Sequence, residues 1–558
     1  MVRSRKMGMK RGRVAIAAGL LLAWPAMAPA MVNDASAEMR QYVHARLADA
    51  AGMPEAAAAS YARLLQASPQ DKRLALRTYR QALTAGNYKL AGLATAQLDR
   101  LGALPPDGTL LLFAEAVTAH DWKRANATIG RIEREQVFGF LAPVMRGWVA
   151  YGRQSSDAAR LAAPAGGSQL SNAYSRDHYM LIALAMGRHE VLADLRRLIA
   201  AHDVRSLRLQ LAAAALLAKR GDMADARAIL DGQTPELIQA RATLDAGKPL
   251  GGAIDTPELG LSDLFAQLAI DVKGDGRSPV SLQLARIAGY LAPTNAAAII
   301  ATADLLTANG YHDAALALLD KVPADDPLRE AARQERSGIL LSMGNRQAAL
   351  ADAQKAAAQP DASAATLVEL GGILSDLDRP AEAVKAYQRA IDIDTAQGIP
   401  NWAHLFLQAG ALDRAGDWEG AKDRLRQAGK LAPGQAVILN YLGYGMLDRG
   451  ENLPEAQAYI ERASSLDPND AAIADSLGWL YYKRGNYPGA IAALERAVAG
   501  EPGQSVINEH LGDAYWAVGR RIEARYAWRA ALVQAGKTDS ERIKRKMADG
   551  PGDRLSAN

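Results

Sequence analysis

The chain has 558 residues, 49% hydrophobic but only 6% aromatic, and no cysteine, which excludes disulfides, thiolate metal sites and a cysteine nucleophile. The formal net charge of +4 comes from 65 basic and 61 acidic residues, and six of the basic ones lie in the first 30 residues, where no acidic residue occurs. The rest carries 59 basic against 61 acidic residues, a net of −2, so nucleic-acid binding has no global electrostatic support.

At the N-terminus, Arg3, Arg5, Lys6, Lys10, Arg11 and Arg13 precede an apolar run from Val14 to Ala28 and then small residues. This pattern predicts an export signal over residues 1–30, cleaved after Ala30 or as late as Ala37. The run is about 15 residues and contains Pro25, short of the roughly 20 that span a bilayer. An uncleaved anchor is the alternative.

Alanine makes up 116 residues, about a fifth of the chain, and long alternating runs of Val, Ile and Thr are missing. This composition points to close-packed helices. The segment "ADSLGWLYYKRGNYPGAIAALERAVAGEP" (Ala474 to Pro502) recurs with a period of about 34. Units start at Glu38, Lys72, Pro106, Phe140, Ala173, Leu207, Ser262, Ala296, Glu330, Ala364, Trp402, Ala436, Ala471 and Ser505. The position of Gly485 is Gly in eleven of the fourteen, and that of Ala490 is Ala in twelve. Each unit is predicted to be two amphipathic helices. The Gly allows a tight turn between them, the Ala lets them touch, and Pro69, Pro293, Pro327, Pro433, Pro468 and Pro502 stop the second helix. One pair cannot bury its apolar face alone, so stacking completes the core.

The expected fold is therefore all-α, an α-solenoid superhelix of about fourteen helix pairs. Residues 38–240 form a divergent array, and residues 241–261, "RATLDAGKPLGGAIDTPELGL", break the phase as a loop or hinge. Residues 262–535 form the regular array, and residues 536–558, with "DSERIKRKM", a polar capping helix and tail.

Chemistry was sought along this frame. The eight His residues are dispersed, and no two on one helix face bracket a Glu as a zinc site needs. "GRHE" and "NEHL" set Glu beside His, but adjacent helix positions point about 100° apart. "GDGRSP" (Gly274 to Pro279) lacks the Gly-Lys-Ser/Thr of a phosphate loop. No catalytic residues, metal or cofactor are expected. An enzyme hidden between Phe140 and Leu261 would require ionisable side chains to converge in a closed pocket there.

The surface left for function is the wall lined by the first helix of each unit. Positions 5, 9 and 12 of a unit share one helix face. In the last three units they expose Asn440, Tyr444, Leu447, Asp475, Trp479, Tyr482, Glu509, Asp513 and Trp516 to a groove, with Tyr441, Ser476 and His510 at its edge. Rigidly held aromatics are the usual anchors of interfaces. Tyr481, Tyr515 and Trp528 occupy packing positions instead.

The Leu477, Gly478, Tyr481, Gly485, Tyr487, Ala490, Leu494, Ala497 and Pro502 pattern resembles the tetratricopeptide repeat family over roughly Glu38 to Leu532. The run from Asn440 to Val498, with "INEHLGDAYWAVGRRIEARYAW" after it, is similar to the C-terminal part of Gram-negative envelope proteins of that family. Some of those are lipoprotein adaptors of carboxyl-terminal processing proteases; this chain has no cysteine to carry the lipid. The resemblance implies a non-catalytic protein–protein interaction scaffold in the periplasm, holding a partner segment in its groove. An envelope protease or an export or assembly complex would be the partner. A structural role in a secretion or polysaccharide-export complex is the alternative. Membrane contact is expected only through a partner or an uncleaved signal.

Overall fold

The structure, a computed structural model, describes residues 33–164, 166, 168–200, 204–232, 234–274, 279–360 and 362–551. The expected signal at residues 1–30 lies outside them. Ala37, the later expected cleavage point, falls within the helix Asn33–Ala50.

Among the described residues there are thirty α-helices and no β-strand. Twenty-eight of the helices form fourteen consecutive pairs, and the two outside this scheme are Pro235–Asp245 and Lys537–Asp549. Eight of the expected unit starts coincide with the first residue of a helix: Lys72, Pro106, Ala296, Ala364, Trp402, Ala436, Ala471 and Ser505. The chain is an α-solenoid of helix pairs.

The turn between paired helices explains the glycine period. Ten of the eleven periodic glycines have positive φ, between 69° at Gly450 and 91° at Gly221; Gly276 lies outside the described residues. In the three units lacking the glycine, the same position holds His120, Gln154 and Asp378, and these too have φ of 53°, 58° and 58°. The turn therefore demands the left-handed conformation whatever side chain is present, and only glycine adopts it without strain. A second glycine serves close approach. A Cβ on Gly478 would lie 2.5 Å from Leu494, and one on Gly512 2.4 Å from the Trp528 ring. The period's alanines, among them Ala349, Ala383, Ala421, Ala456, Ala490 and Ala524, are fully buried where the two helices meet.

The chain divides into two compact units, residues 1–139 and 140–558. The first holds three helix pairs around Tyr61, Tyr79, Leu83 and Phe113, and the buried Tyr79 hydroxyl donates to Asp107 at 2.6 Å. The second holds eleven pairs and the two additional helices. In its C-terminal part successive first helices pack on one another: Ala436–Arg449 on Ala471–Lys483, and that helix on Ser505–Ala517.

The stretch from residue 140 to 261 departs from the period, as its weak glycine pattern suggests. Its second helices shrink to Ala158–Ala162 and Met223–Ile229, of 5 and 7 residues, against 14 for Tyr487–Gly500. The expected loop at 241–261 is shorter than the sequence reading had it. The helix Pro235–Asp245 runs into it, and the helix Pro257–Asp271 starts before its end, leaving residues 246–256. Pro257 opens the second of these helices, with the Thr256 hydroxyl accepting from the Leu259 N–H as its cap. Nor do residues 246–256 hang free as a hinge. The Tyr151 hydroxyl donates to the Asp255 carbonyl at 3.2 Å, Lys219 pairs with Asp255 at 2.5 Å, and the Gly251 N–H donates to the Asp325 carbonyl at 3.0 Å. No helix among the described residues is long and apolar enough to cross a membrane.

Candidate functional site

The face expected to bind a partner is built from the helices Ala436–Arg449, Ala471–Lys483 and Ser505–Ala517. Asp470 caps the second by accepting from the Ile473 N–H at 2.9 Å, which sets the register that carries Asp475, Trp479 and Tyr482.

The sequence reading opened all these side chains to a groove. The structure instead buries Asp475, Tyr482, Glu509 and Asp513, with exposures of 6%, 5%, 4% and 2%. The reason lies in the close packing of successive first helices, which turns these positions toward the next unit. His510 Nδ1 lies 2.9 Å from Asp475 Oδ1, tying the last two units together. Glu509 and Asp513 face the C-terminal helix Lys537–Asp549. Arg542 donates to both Glu509 oxygens, at 2.9 and 2.6 Å, and Lys546 lies 2.7 Å from Glu509 and 2.5 Å from Asp513. Asp513 also accepts from the Trp528 indole N–H at 2.9 Å.

The electrostatics follow from these contacts. Burial pushes Glu509 upward, but Arg542 and Lys546 outweigh it and hold its carboxyl below the usual range. At Asp513 burial prevails over Lys546 and Trp528, and the pKa is raised.

Leu447, Ser476 and His510 are also buried, and the remaining predicted residues are half-buried. The Tyr441 hydroxyl donates to Asp413 at 2.9 Å. Burial, with Asp475, Asp448 and Glu509, pushes the Tyr444 hydroxyl well up, so Tyr444 shares one acidic neighbourhood with two other predicted residues. Trp479 stacks between His510, at 4.1 Å and 13°, and Tyr482, at 4.8 Å and 7°. Its buried indole N–H has no acceptor among the described residues, and Asn440 Oδ1 on the preceding unit has no donor. Trp516 packs 5.3 Å from Trp528 under the Arg521 guanidinium at 3.7 Å. Gly550 passes so close that a Cβ would fall 2.4 Å from the Trp516 ring.

His510, expected at the groove edge, is buried against Asp475, and two residues of this region were not among those expected: Arg542 and Lys546. A signal for them existed, because they follow Glu509 and Asp513 by 33 residues each, close to one period.

A second concentration of charge lies in the irregular stretch. Asp177 and Asp263, 1% and 2% exposed, share Arg208, and Arg205 pairs with Asp177 at 2.7 Å. His178 accepts the Trp148 indole N–H at 3.2 Å, and burial, with the nearby Arg208 and Arg205, pushes its pKa well down. The helix Pro257–Asp271 lies directly on that indole, since a Cβ on Gly260 would fall 2.0 Å from it. Arg208 and Asp263 also line a cavity of about 200 Å³, together with Gly251–Ile254 and Asp326. Burial raises Asp326 to about 6. Ionisable groups do converge here, but the charges of Asp177, Asp263, Arg205 and Arg208 are directed at one another.

The comparisons with known proteins bear on this frame. Residues 364–397 and residues 471–500 each match a tetratricopeptide repeat family model. No curated protein matches the chain. Among solved structures, the chain is similar to a thermophilic tetratricopeptide repeat protein of Thermus thermophilus, with 22% identity over 34% of this chain and 98% of that one, and a TM-score of 0.29. It is also similar to PilF of Pseudomonas aeruginosa, with 20% identity, coverage of 39% and 97%, and a TM-score of 0.33. The Cut9–Hcn1 structure of the APC/C matches over 92% of this chain and 90% of that one, at 14% identity and a TM-score of 0.35.

Proposed function

Because this chain is a tetratricopeptide repeat protein, we propose that it is a non-catalytic interaction scaffold of the bacterial envelope, exported by its N-terminal signal and holding a segment of a partner protein on the inner face of its last units. One observation carries the reading. The Trp479 indole N–H and Asn440 Oδ1, on adjacent first helices of the expected wall, are buried without a hydrogen-bond partner among the described residues. Buried polar atoms are nearly always paired, and these two, of opposite type on one wall, are a donor and an acceptor that an incoming backbone would satisfy. Tyr444 and Trp479 supply apolar anchors beside them. Glu509 and Asp513 contribute by seating the C-terminal helix that borders this wall rather than by direct contact.

The basic and apolar character of residues 1–30 supports export to the periplasm, and an envelope protease or an export assembly fits as the partner. The test places a photo-crosslinking residue at position 444, or at the outward-facing position 499 as control, in the chain's own cells. Expected is one periplasmic protein crosslinked from 444 and not from 499, lost in Trp479→Ala or Asn440→Ala with the melting curve unchanged. Equal crosslinking from both positions, or a chain found in the cytoplasmic fraction, would overturn the reading.

A further inference from the structure

The last unit carries a second surface, on the far side of its second helix. In the helix Arg521–Gln534, one face is buried through Ala524, Ala527, Trp528 and Ala531. Opposite it, Ile522, Tyr526 and Val533 are 69%, 65% and 81% exposed, among the highest values for large apolar side chains in the structure. At 100° per residue the three fall within about 40° of arc and form a single ridge. The repeat does not require this ridge. One period earlier the same positions are Pro488, Ala492 and Ala499, and in the unit of Trp418 they are Glu419, Asp423 and Lys430.

A row of arginines runs along one flank. Arg521, Arg525 and Arg529 are exposed, and none has a carboxylate within ion-pair distance among the described residues. Arg529 lies over the Tyr526 ring at 5.8 Å, and Arg521 over Trp516. The one acid on the helix, Glu523, is held by Arg520 at 3.0 Å on the other side of the ridge. The exposed face is thus apolar along its crest and cationic along one edge.

We infer that this face docks the last repeat onto an anionic lipid surface, with Ile522, Tyr526 and Val533 entering the headgroup–acyl boundary and the three guanidinium groups lying at the level of the lipid phosphates. A ridge projecting from a helix suits a soft layer that closes around it, and arginine side chains reach back from the boundary to the phosphates. Among the described residues Arg521 and Arg525 donate only to backbone carbonyls, of Trp516 and Met547, which leaves the positive charge of the row unneutralised, and such charge selects anionic over neutral lipid. The contact is direct, unlike the partner- or signal-mediated contact expected from the sequence, and it is independent of the partner wall.

The chain has no cysteine, so Val533→Cys in the full chain takes a single environment-sensitive fluorophore, and Ala499→Cys, one period earlier, gives the control. The probe is vesicles of phosphatidylcholine with or without about a third phosphatidylglycerol. Expected is a blue-shifted, brighter signal at 533 with the anionic vesicles only, weakened by salt and absent at 499, so that binding through the N-terminal apolar run cannot imitate it. Each Arg→Gln change at 525 and 529 should weaken the response about fivefold. Ile522→Ser with Tyr526→Ser should weaken it tenfold or more, with the melting curve unchanged. The inference falls if 533 does not respond to anionic vesicles, responds equally to neutral ones, or matches 499. A response that grows with protein concentration in the absence of lipid would instead make the ridge an interface between copies of this chain, and an unchanged response in the Ile522→Ser, Tyr526→Ser chain would remove the ridge from it.

Discussion

The regular array from Ala296 to Gln534 and the irregular stretch from residue 140 to 271 solve the same packing problem by different means. In the regular array the two helices of a unit meet through small residues, Gly478 against Leu494 and Ala490 beside them; ion pairs within a unit such as Arg379–Glu382 lie at the surface, and buried carboxylates such as Asp475 are paired across units. In the irregular stretch the second helix is cut to as few as 5 residues, and the first helices meet one another through Trp148, His178 and a buried set of carboxylates and guanidinium groups. Within a unit, uniform geometry lets alanine and glycine suffice. Where several charges of neighbouring first helices are buried together, each needs a partner.

The difference predicts unequal sensitivity to charge removal. Arg208→Leu strands Asp263 in the interior and leaves Asp177 with Arg205 alone, and should lower stability by about 3–5 kcal/mol, read by denaturant titration. Arg379→Gln, at the exposed pair of the regular array, should change stability by less than about 1 kcal/mol. Similar losses for the two would break the comparison.

Asp326 sharpens it from the side of pH. Its folded pKa, about 6, lies above the unfolded value near 3.8, so the folded state binds the extra proton. Stability is then highest below about pH 4 as far as this group is concerned, and is lost as pH rises through 4 to 6. Asp326→Asn, which keeps an oxygen for the Leu328 N–H, should stabilise the chain at pH 7 by about 1–3 kcal/mol and flatten that slope. Melting curves at pH 4, 5, 6 and 7 would decide; a steeper slope in the variant would contradict the assignment.

The regular array should respond instead to its turns. Gly485→Ala forces a Cβ into a left-handed residue and should cost about 1–2 kcal/mol. Asp378→Gly, at the equivalent position, relieves such a residue and should gain up to about 1 kcal/mol. Hydrogen exchange of the flanking helices reads both changes, and the signs must be opposite.

The fold was legible because the period is a direct consequence of geometry. A turn that requires positive φ repeats its glycine, a helix contact that requires a small residue repeats its alanine, and the unit boundaries follow. Orientation was less legible. Positions 5 and 9 were assigned to an open groove from helix periodicity alone, yet periodicity gives the face of a helix and not the distance to its neighbour. The first helices lie close enough that Asp475, Glu509 and Asp513 meet side chains about one period ahead, and this sideways pairing is invisible until the period is used to align partners as well as units. In the irregular stretch the sequence held no such aid: nothing local to Arg208 marks Asp263, 55 residues on, as its partner.

A stack of identical units has no natural last member, since the surface that receives one more unit of its own chain would equally receive one from another molecule. The helix Lys537–Asp549 begins where a fifteenth unit would begin. It places Ile543 against Ala524, Trp528 and Ala531 and offers Arg542 and Lys546 to Glu509 and Asp513. It is a single helix in place of a pair, its outward side bearing Glu541, Lys544 and Arg545. Its effect is to close the seam of the fourteenth pair: the apolar and acidic side chains that a further unit would meet are covered, and the side turned to water is charged rather than apolar.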